Sequence, residues 1–247
     1  MVTADPAVQQ RLLDVQAVDT VLAQLAHRRR GLPQIAELAH YAEEAAALHS
    51  QAVGLQTQLS DIAGEQRRLE NDIEVVRQRE RRNQQRLDTG GIPAKELENL
   101  QHELQSLARR QASLEDETLE VMEQREEIER ALAAVQQTQA ELAERQHAAM
   151  ALKDAATAEI DEAIAERTVL RTRAVDGMPA DLLNLYDKVR QAQGGIGAAG
   201  LRQRRCDGCR LELAGSELSA VRRAAPDEVL RCENCRRILV RTAESGL

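Results

Sequence analysis

From Leu97 onward, apolar side chains recur at alternating steps of three and four residues for more than seven repeats. The positions 97, 100, 104, 107, 111, 114, 118, 121, 125, 128, 132, 135, 139, 142, 146 and 149 are Leu, Ile, Val or Ala in eleven cases of sixteen. A helix bearing such a seam cannot cover it alone and requires a second helix alongside. An upstream series, 48, 52, 55, 59, 62, 66, 69, 73, 76, 80, 83 and 87, is apolar at nine of twelve positions, so a partner exists within the same chain. Between the two lies DTGGIP, Asp88 to Pro93, where two glycines end one helix and a proline opens the next. These features predict an antiparallel coiled-coil hairpin with its tip near 88–93. Asp5-Pro6 is a helix start, giving arms of roughly 6–87 and 94–173, each about 80 residues and about 120 Å long. In RRRGLP, Arg28 to Pro33, cations precede a glycine and a proline, and a break in the first arm is expected there. The rival arrangement is a parallel dimer of whole chains; the seam polars Gln111, Thr118 and Arg125 suit either.

Composition agrees with long helices and argues against a broad globular core. Trp and Phe are absent, and Tyr41 and Tyr186 are the only aromatic rings. The net charge of −8 is unevenly placed: residues 1–175 carry −10 and residues 176–247 carry +2. An acidic pair of arms is a poor non-specific nucleic-acid binder, so any such role falls to the tail. The opening MVTADPAVQQ has no cationic and apolar leader, and no run of eighteen apolar residues occurs, which predicts a cytoplasmic protein that does not enter a membrane.

After Arg173 the periodicity stops. Gly177 to Gln193 reads as a short amphipathic helix beginning at Pro179, followed by GGIGAAG. Gly195, Gly197 and Gly200 spell GxGxxG, but a helix precedes them and the charged RQRRC follows, so the strand and helix that a pyrophosphate site needs are missing. A flexible or turn-like lead-in to the next segment is expected instead. That segment holds all four cysteines: Cys206 and Cys209, then Cys232 and Cys235. In a reducing compartment two CxxC units point to metal rather than to disulfides. Two such turns complete a tetrahedron of thiolates around one Zn2+, with a strand and a helical turn around SELSAVRRA between them and a closing strand in RRILVRT. So small a segment cannot hold itself together with its few Leu and Val side chains, so the ion is expected to be a single structural zinc that makes the fold. Four cysteine ligands leave no position for an activated water. The predicted organisation is thus a hairpin over 1–175, a short helix with a Gly-rich connector over 176–200, and a small β zinc ribbon over 201–247, mainly α in class.

CDGC followed by CENCRRILV, with RLLDVQAVDTVLAQL near the start and KELENLQHELQSL and LEDETLEVME in the second arm, resembles the bacterial coiled-coil family that ends in a C4-type zinc ribbon. The resemblance spans nearly the whole chain. It implies an antiparallel helical hairpin, Cys206, Cys209, Cys232 and Cys235 as zinc ligands, and macromolecular binding rather than catalysis. Characterised relatives include a flagellar chaperone that contacts the sigma-54 factor and a messenger RNA. One departure is that the residue after each second cysteine, commonly Gly in such knuckles, is Arg210 or Arg236 here, which must enter a turn that Gly enters more easily.

Arg202, Arg204, Arg205, Arg210, Arg231, Arg236 and Arg237 gather beside the cysteines and form a candidate RNA- or DNA-binding surface. The plainer role for these guanidinium groups is to offset the charge of a zinc–thiolate centre. No Phe, Trp or nearby Tyr offers base stacking, so binding there would be electrostatic and salt-sensitive. The histidines at 27, 40, 49, 102 and 147 all lie in the arms, none opposite another in a hairpin centred on the tip, so neither a second metal site nor a His-based catalytic site is expected. No nucleophile with a placed base emerges, and no small-molecule substrate. The expectation is a non-enzymatic adaptor or chaperone that engages a protein through its coiled coil. Its competitor is a chaperone with a purely structural ribbon, and a more distant one is a transcription-associated factor acting through the hairpin tip.

Overall fold

The Asp5 carboxylate accepts a hydrogen bond from the Ala7 amide at 2.8 Å, and Pro6 needs no partner for the amide it lacks, so the first helix starts where the chain supplies its own cap. This helix, α1, spans Pro6–Arg30 and stops at Gly31, with four cationic or titratable side chains, His27 to Arg30, in its last turn. Helix α2 resumes at once, Pro33–Thr89, and α3 spans Ala94–Val175 across 82 residues. The chain described is residues 2–247 of a computed structural model. By compactness it divides into Met1–Ile35 with Ala151–Leu247, and Ala36–Met150. The sequence boundaries at 175/176 and 200/201 therefore mark changes of motif rather than of compact unit.

Within residues 36–150, α2 and α3 run antiparallel. Leu69, Ile73, Leu114 and Val121 are buried together, and Ala52, Leu100, Val135, Leu142 and Ala149 continue the seam. Every one of these residues lies on the two series read from the sequence. Cross-arm ion pairs, Arg86 with Glu96 at 2.5 Å, Arg79 with Glu103 at 2.5 Å and Arg77 with Glu115 at 2.9 Å, set the direction, since partner numbers rise as the first numbers fall. The tip glycines Gly90 and Gly91 have φ of +67° and +78°, the left-handed turn for which glycine carries no steric penalty. One seam residue is polar and buried: Asn83 is 7% exposed, and its amide nitrogen has no hydrogen-bond partner.

In the other unit a four-stranded sheet has the order β2-β1-β4-β3, with β1 Ala198–Arg202, β2 Arg205–Cys206, β3 Leu230–Arg231 and β4 Ile238–Val240. β1 runs parallel to β4, pairing Ala198 with Ile238 and Gly200 with Val240; the other neighbours are antiparallel. The glycine-rich segment expected as a flexible or turn-like lead-in is, from Ala198, this central strand. Its residues up to Leu201 are buried, which the glycine content concealed. Side chains alternate across the sheet as the pleat requires. Ala198, Ile238 and Val240 face Leu12 and Val15 of α1 together with Leu182, Tyr186 and Val189 of α4, Ala180–Ala192. Ala199, Leu201 and Leu239 face the cysteines and Leu218 and Val221 of α5, Gly215–Arg223. The ribbon is therefore one side of a core whose other side comes from α4 just before it and from α1, nearly two hundred positions earlier. The N-terminus extends the sheet edge: Ala4 donates to the Asp227 carbonyl at 2.8 Å and Thr3 bridges Glu228.

A buried polar network locks these helices. Tyr186 donates to Asp19 at 2.8 Å, and Asp19, 2% exposed, also accepts from Arg171 at 2.6 Å and pairs with Arg190 at 3.5 Å. Gln16 accepts from the Gly197 amide at 2.6 Å and donates to the Gly195 carbonyl at 3.1 Å. Two of the GxGxxG glycines thus have structural roles, one steric and one conformational. A Cβ on Gly197 would lie 2.8 Å from the Tyr186 ring, and Gly195 takes φ +94°.

Candidate zinc centre and its arginine rim

Cys206 closes β2, and Cys209 follows in a turn held by two local backbone bonds. The Cys206 amide donates to the Leu211 carbonyl at 3.0 Å and the Arg210 amide to the Cys206 carbonyl at 2.7 Å. The second knuckle repeats the pattern with Cys232 to Arg237 at 3.0 Å and Arg236 to Cys232 at 2.8 Å. In both, the residue after the second cysteine takes a left-handed backbone, φ +62° at Arg210 and +60° at Arg236, so arginine does enter the turn that glycine favours. Gly208, inside the first knuckle, has no room for a side chain because Arg237 passes 2.7 Å from where its Cβ would be.

The two knuckles bring four sulfurs to one point. Cys206 and Cys235 lie 3.8 Å apart, Cys209 and Cys232 4.0 Å, and all four sulfurs within 4.8 Å of one another. Tetrahedral zinc–sulfur bonds of about 2.3 Å place ligands about 3.8 Å apart, so the set fits Zn2+. Among the described residues no other group of three or more His, Cys, Asp or Glu side chains converges in this way. Burial pushes the Cys206 thiol up, against amides of Cys209 and Gly208 that point at it, and burial raises Cys232 likewise. At Cys235 burial also acts upward, but hydrogen bonds from the amide and side chain of Arg237, together with those of the Cys232 and Cys206 thiols, hold the thiol below its ordinary range. A bound Zn2+ deprotonates its sulfur ligands and closes the ribbon around them.

The seven arginines named from the sequence are not equivalent. Arg237 donates to the carbonyls of Gln193 at 2.9 Å, Ile196 at 3.2 Å and Gly208 at 3.2 Å, tying the loop before β1 to both knuckles. Arg202 pairs with Glu244 at 3.0 Å and Asp207 at 3.8 Å, Arg204 donates to the Gly246 carbonyl at 3.3 Å, and Arg231 to the Arg236 carbonyl at 2.8 Å. Arg205, Arg210 and Arg236 make no side-chain bond or ion pair among the described residues. Arg202, Arg205 and Arg210 line a polar cavity of about 470 Å³ with Gln203, Cys206 and Asp207.

Several positioning residues were not visible as such in the sequence. Glu217, buried in α5, accepts from the Glu233 amide at 2.9 Å and so fixes the second knuckle. Its only sequence signal is a carboxylate beside Leu218 on an otherwise apolar stripe. Arg241 binds the carbonyls of Ala224, Ala225, Pro226 and Glu228 at 2.8–3.2 Å, and Gln9 reaches Pro226 from α1 at 3.3 Å. At the β1–β2 turn, Gln203 and Arg204 both have positive φ, and their amides donate to the Glu244 and Ser245 carbonyls. The C-terminal segment thereby caps a hairpin turn that lacks the usual Asn-Gly.

Residues 15–194 match the family model of a CT398-like coiled coil hairpin domain, and residues 205–239 that of a C4-type zinc ribbon domain. An uncharacterized protein of Mycobacterium tuberculosis is 40% identical over 242 residues, covering 96% of this chain and 97% of that one. A solved Mycobacterium smegmatis structure is similar with a TM-score of 0.84 and 36% identity, covering 97% of this chain and all of that one. CT398 from Chlamydia trachomatis shares the fold, with a TM-score of 0.74 at 16% identity over 96% of this chain and 98% of its own. No helix among the described residues is long and apolar enough to cross a membrane.

Proposed function

The chain belongs to the CT398-like coiled-coil hairpin family closed by a C4-type zinc ribbon, and from that premise we propose that it is a non-enzymatic, cytoplasmic adaptor or chaperone whose coiled-coil arms bind a protein partner. The observation that carries this reading is the apolar surface exposed on the arms. Val53, Val75, Leu97, Leu119, Met122 and Met150 are exposed large apolar side chains in residues 36–150. The packing of the ribbon favours a structural part for the zinc. Both faces of its sheet are covered, and four of its seven rim arginines serve intramolecular bonds.

The test is pull-down from the source cell with the full chain and with a variant carrying Ser at Val53, Val75, Leu97, Leu119 and Met122. A partner profile unchanged by those substitutions would remove the arm-binding reading. The cavity lined by Arg202, Arg205 and Arg210 supports a second reading, nucleic-acid binding through phosphate. Replacing Arg205, Arg210 and Arg236 with Ala and titrating RNA and DNA across a salt series decides it, because equal affinity at every salt concentration leaves no role for the rim.

A further inference from the structure

On α3 the track Glu115, Leu119, Met122, Glu126, Glu129, Ala133 runs one position beyond the seam, with the same alternating three- and four-residue steps. Leu119 is 59% exposed and Met122 43%. Two neighbouring cavities lie along this track, one of about 160 Å³ lined by Gln66, Met122, Arg125, Glu126 and Glu129, the other of about 330 Å³ lined by Glu126, Glu129, Arg130 and Ala133. They share Glu126 and Glu129 as lining residues.

The surrounding charge is one-sided. Residues 115–130 hold eight carboxylates and two arginines. Glu115, Glu117 and Glu129 are paired with Arg77, Arg110 and Arg125. Among the described residues no cation pairs with Asp116, Glu120, Glu123, Glu126 or Glu127. Asp116 and Glu123 lie three before and four after Leu119, and Glu126 four after Met122, so these acids flank the apolar anchors on the helix surface.

We propose that this track is the docking face for a cationic amphipathic helix of a partner protein. The inference rests on the arm-binding reading and gives the partner a chemistry. Side chains of the incoming helix spaced three and four apart would meet Leu119, Met122 and Ala133, and its Lys or Arg flanks the unpaired carboxylates. Methionine adapts its shape to such an occupant. The charge of the face repels phosphate backbones, and a second copy of the chain would bring arms that are themselves acidic, so neither is the occupant.

The full chain is titrated with three synthetic 18-residue peptides: one with Leu at helical three–four spacing and Lys elsewhere, one scrambled from the same residues, and one with Glu in place of Lys. The patterned Lys peptide binds at least tenfold more tightly than either control. L119S/M122S weakens it tenfold or more, and E123Q/E126Q flattens its salt dependence. Equal binding of the scrambled peptide, or no effect of L119S/M122S, overturns the proposal as adventitious charge attraction. A photo-reactive residue in place of Leu119, Val53 or Leu97 in the source cell then separates the two levels of the argument. Crosslinks from position 119 are expected. Crosslinks from 53 or 97 alone overturn this face while sparing the arms as a binding surface, and crosslinks from none of the three remove both.

Discussion

Arg210 and Arg236 each supply the amide that returns to the first cysteine of its knuckle, and the left-handed backbone this requires costs an L-residue about 1–2 kcal/mol where glycine carries no such penalty. Arg210→Gly and Arg236→Gly should therefore each raise stability of the zinc-loaded chain, by about 0.5–1 kcal/mol once glycine's extra unfolded-state entropy is deducted. Denaturant midpoints of the single variants check this, and a loss of stability at both positions would mean that their side chains hold the ribbon in ways the backbone does not reveal. Gly197 is the opposite case. Its Cβ would lie 2.8 Å from both the ring and the carbonyl oxygen of the fully buried Tyr186, so Gly197→Ala must shift β1 or the ring and should cost about 1–3 kcal/mol or more. Thermal unfolding of that variant, compared with Gly215→Ala where nothing lies within 4 Å, isolates the clash. These positions also mark the limits of legibility. The CxxC pairs state their chemistry in spacing alone, because a tetrahedral thiolate site needs nothing else from the sequence. The task of Arg237 depends on three carbonyls brought near by the fold, and no local pattern distinguishes it from Arg236 beside it.

For the helices, legibility follows from periodicity. The seam, the tip and the break at Gly31 are all local signals repeated or reinforced by neighbours, and the buried residues of α2 and α3 fall where the three–four count puts them. β1 was not legible, because a five-residue strand with Ala, Ala and Gly has no alternation of its own, and its burial comes from α1, α4 and α5. Asn83 is the exception within the seam. An unpaired buried amide nitrogen costs about 1–3 kcal/mol, and polar seam residues are tolerated where they restrict register. Asn83→Leu should therefore raise hairpin stability by about 1–2 kcal/mol, read as a higher thermal midpoint. If register is what Asn83 enforces, a disulfide introduced between the arms near the tip should form less uniformly in the variant.

Across the unit formed by residues 1–35 and 151–247, the buried phenol of Tyr186 links stability to pH. Burial first, then its hydrogen bond to Asp19 and the charge of that carboxylate, push the Tyr186 hydroxyl above its ordinary range, with Arg190 and Arg171 opposing. In the unfolded chain the phenol ionises near about 10, whereas in the folded chain it stays protonated at that pH. The unfolded state thus loses a proton that the native state keeps, so this group's contribution is fully present below about pH 10 and is lost as pH rises through and beyond that value, at about 1.4 kcal/mol per unit. Tyr186→Phe should be less stable at neutral pH, by about 1–3 kcal/mol, because Asp19 and Gln16 lose a partner. It should also show a shallower decline above pH 10. Equilibrium unfolding of both chains from pH 7 to 11, with zinc held saturating, provides the comparison. Parallel curves would show that alkaline loss of stability arises elsewhere, whereas curves that converge as pH rises would identify this one ring, packed against Gly197 and bonded to α1, as the alkaline weak point of the fold that carries the zinc ribbon.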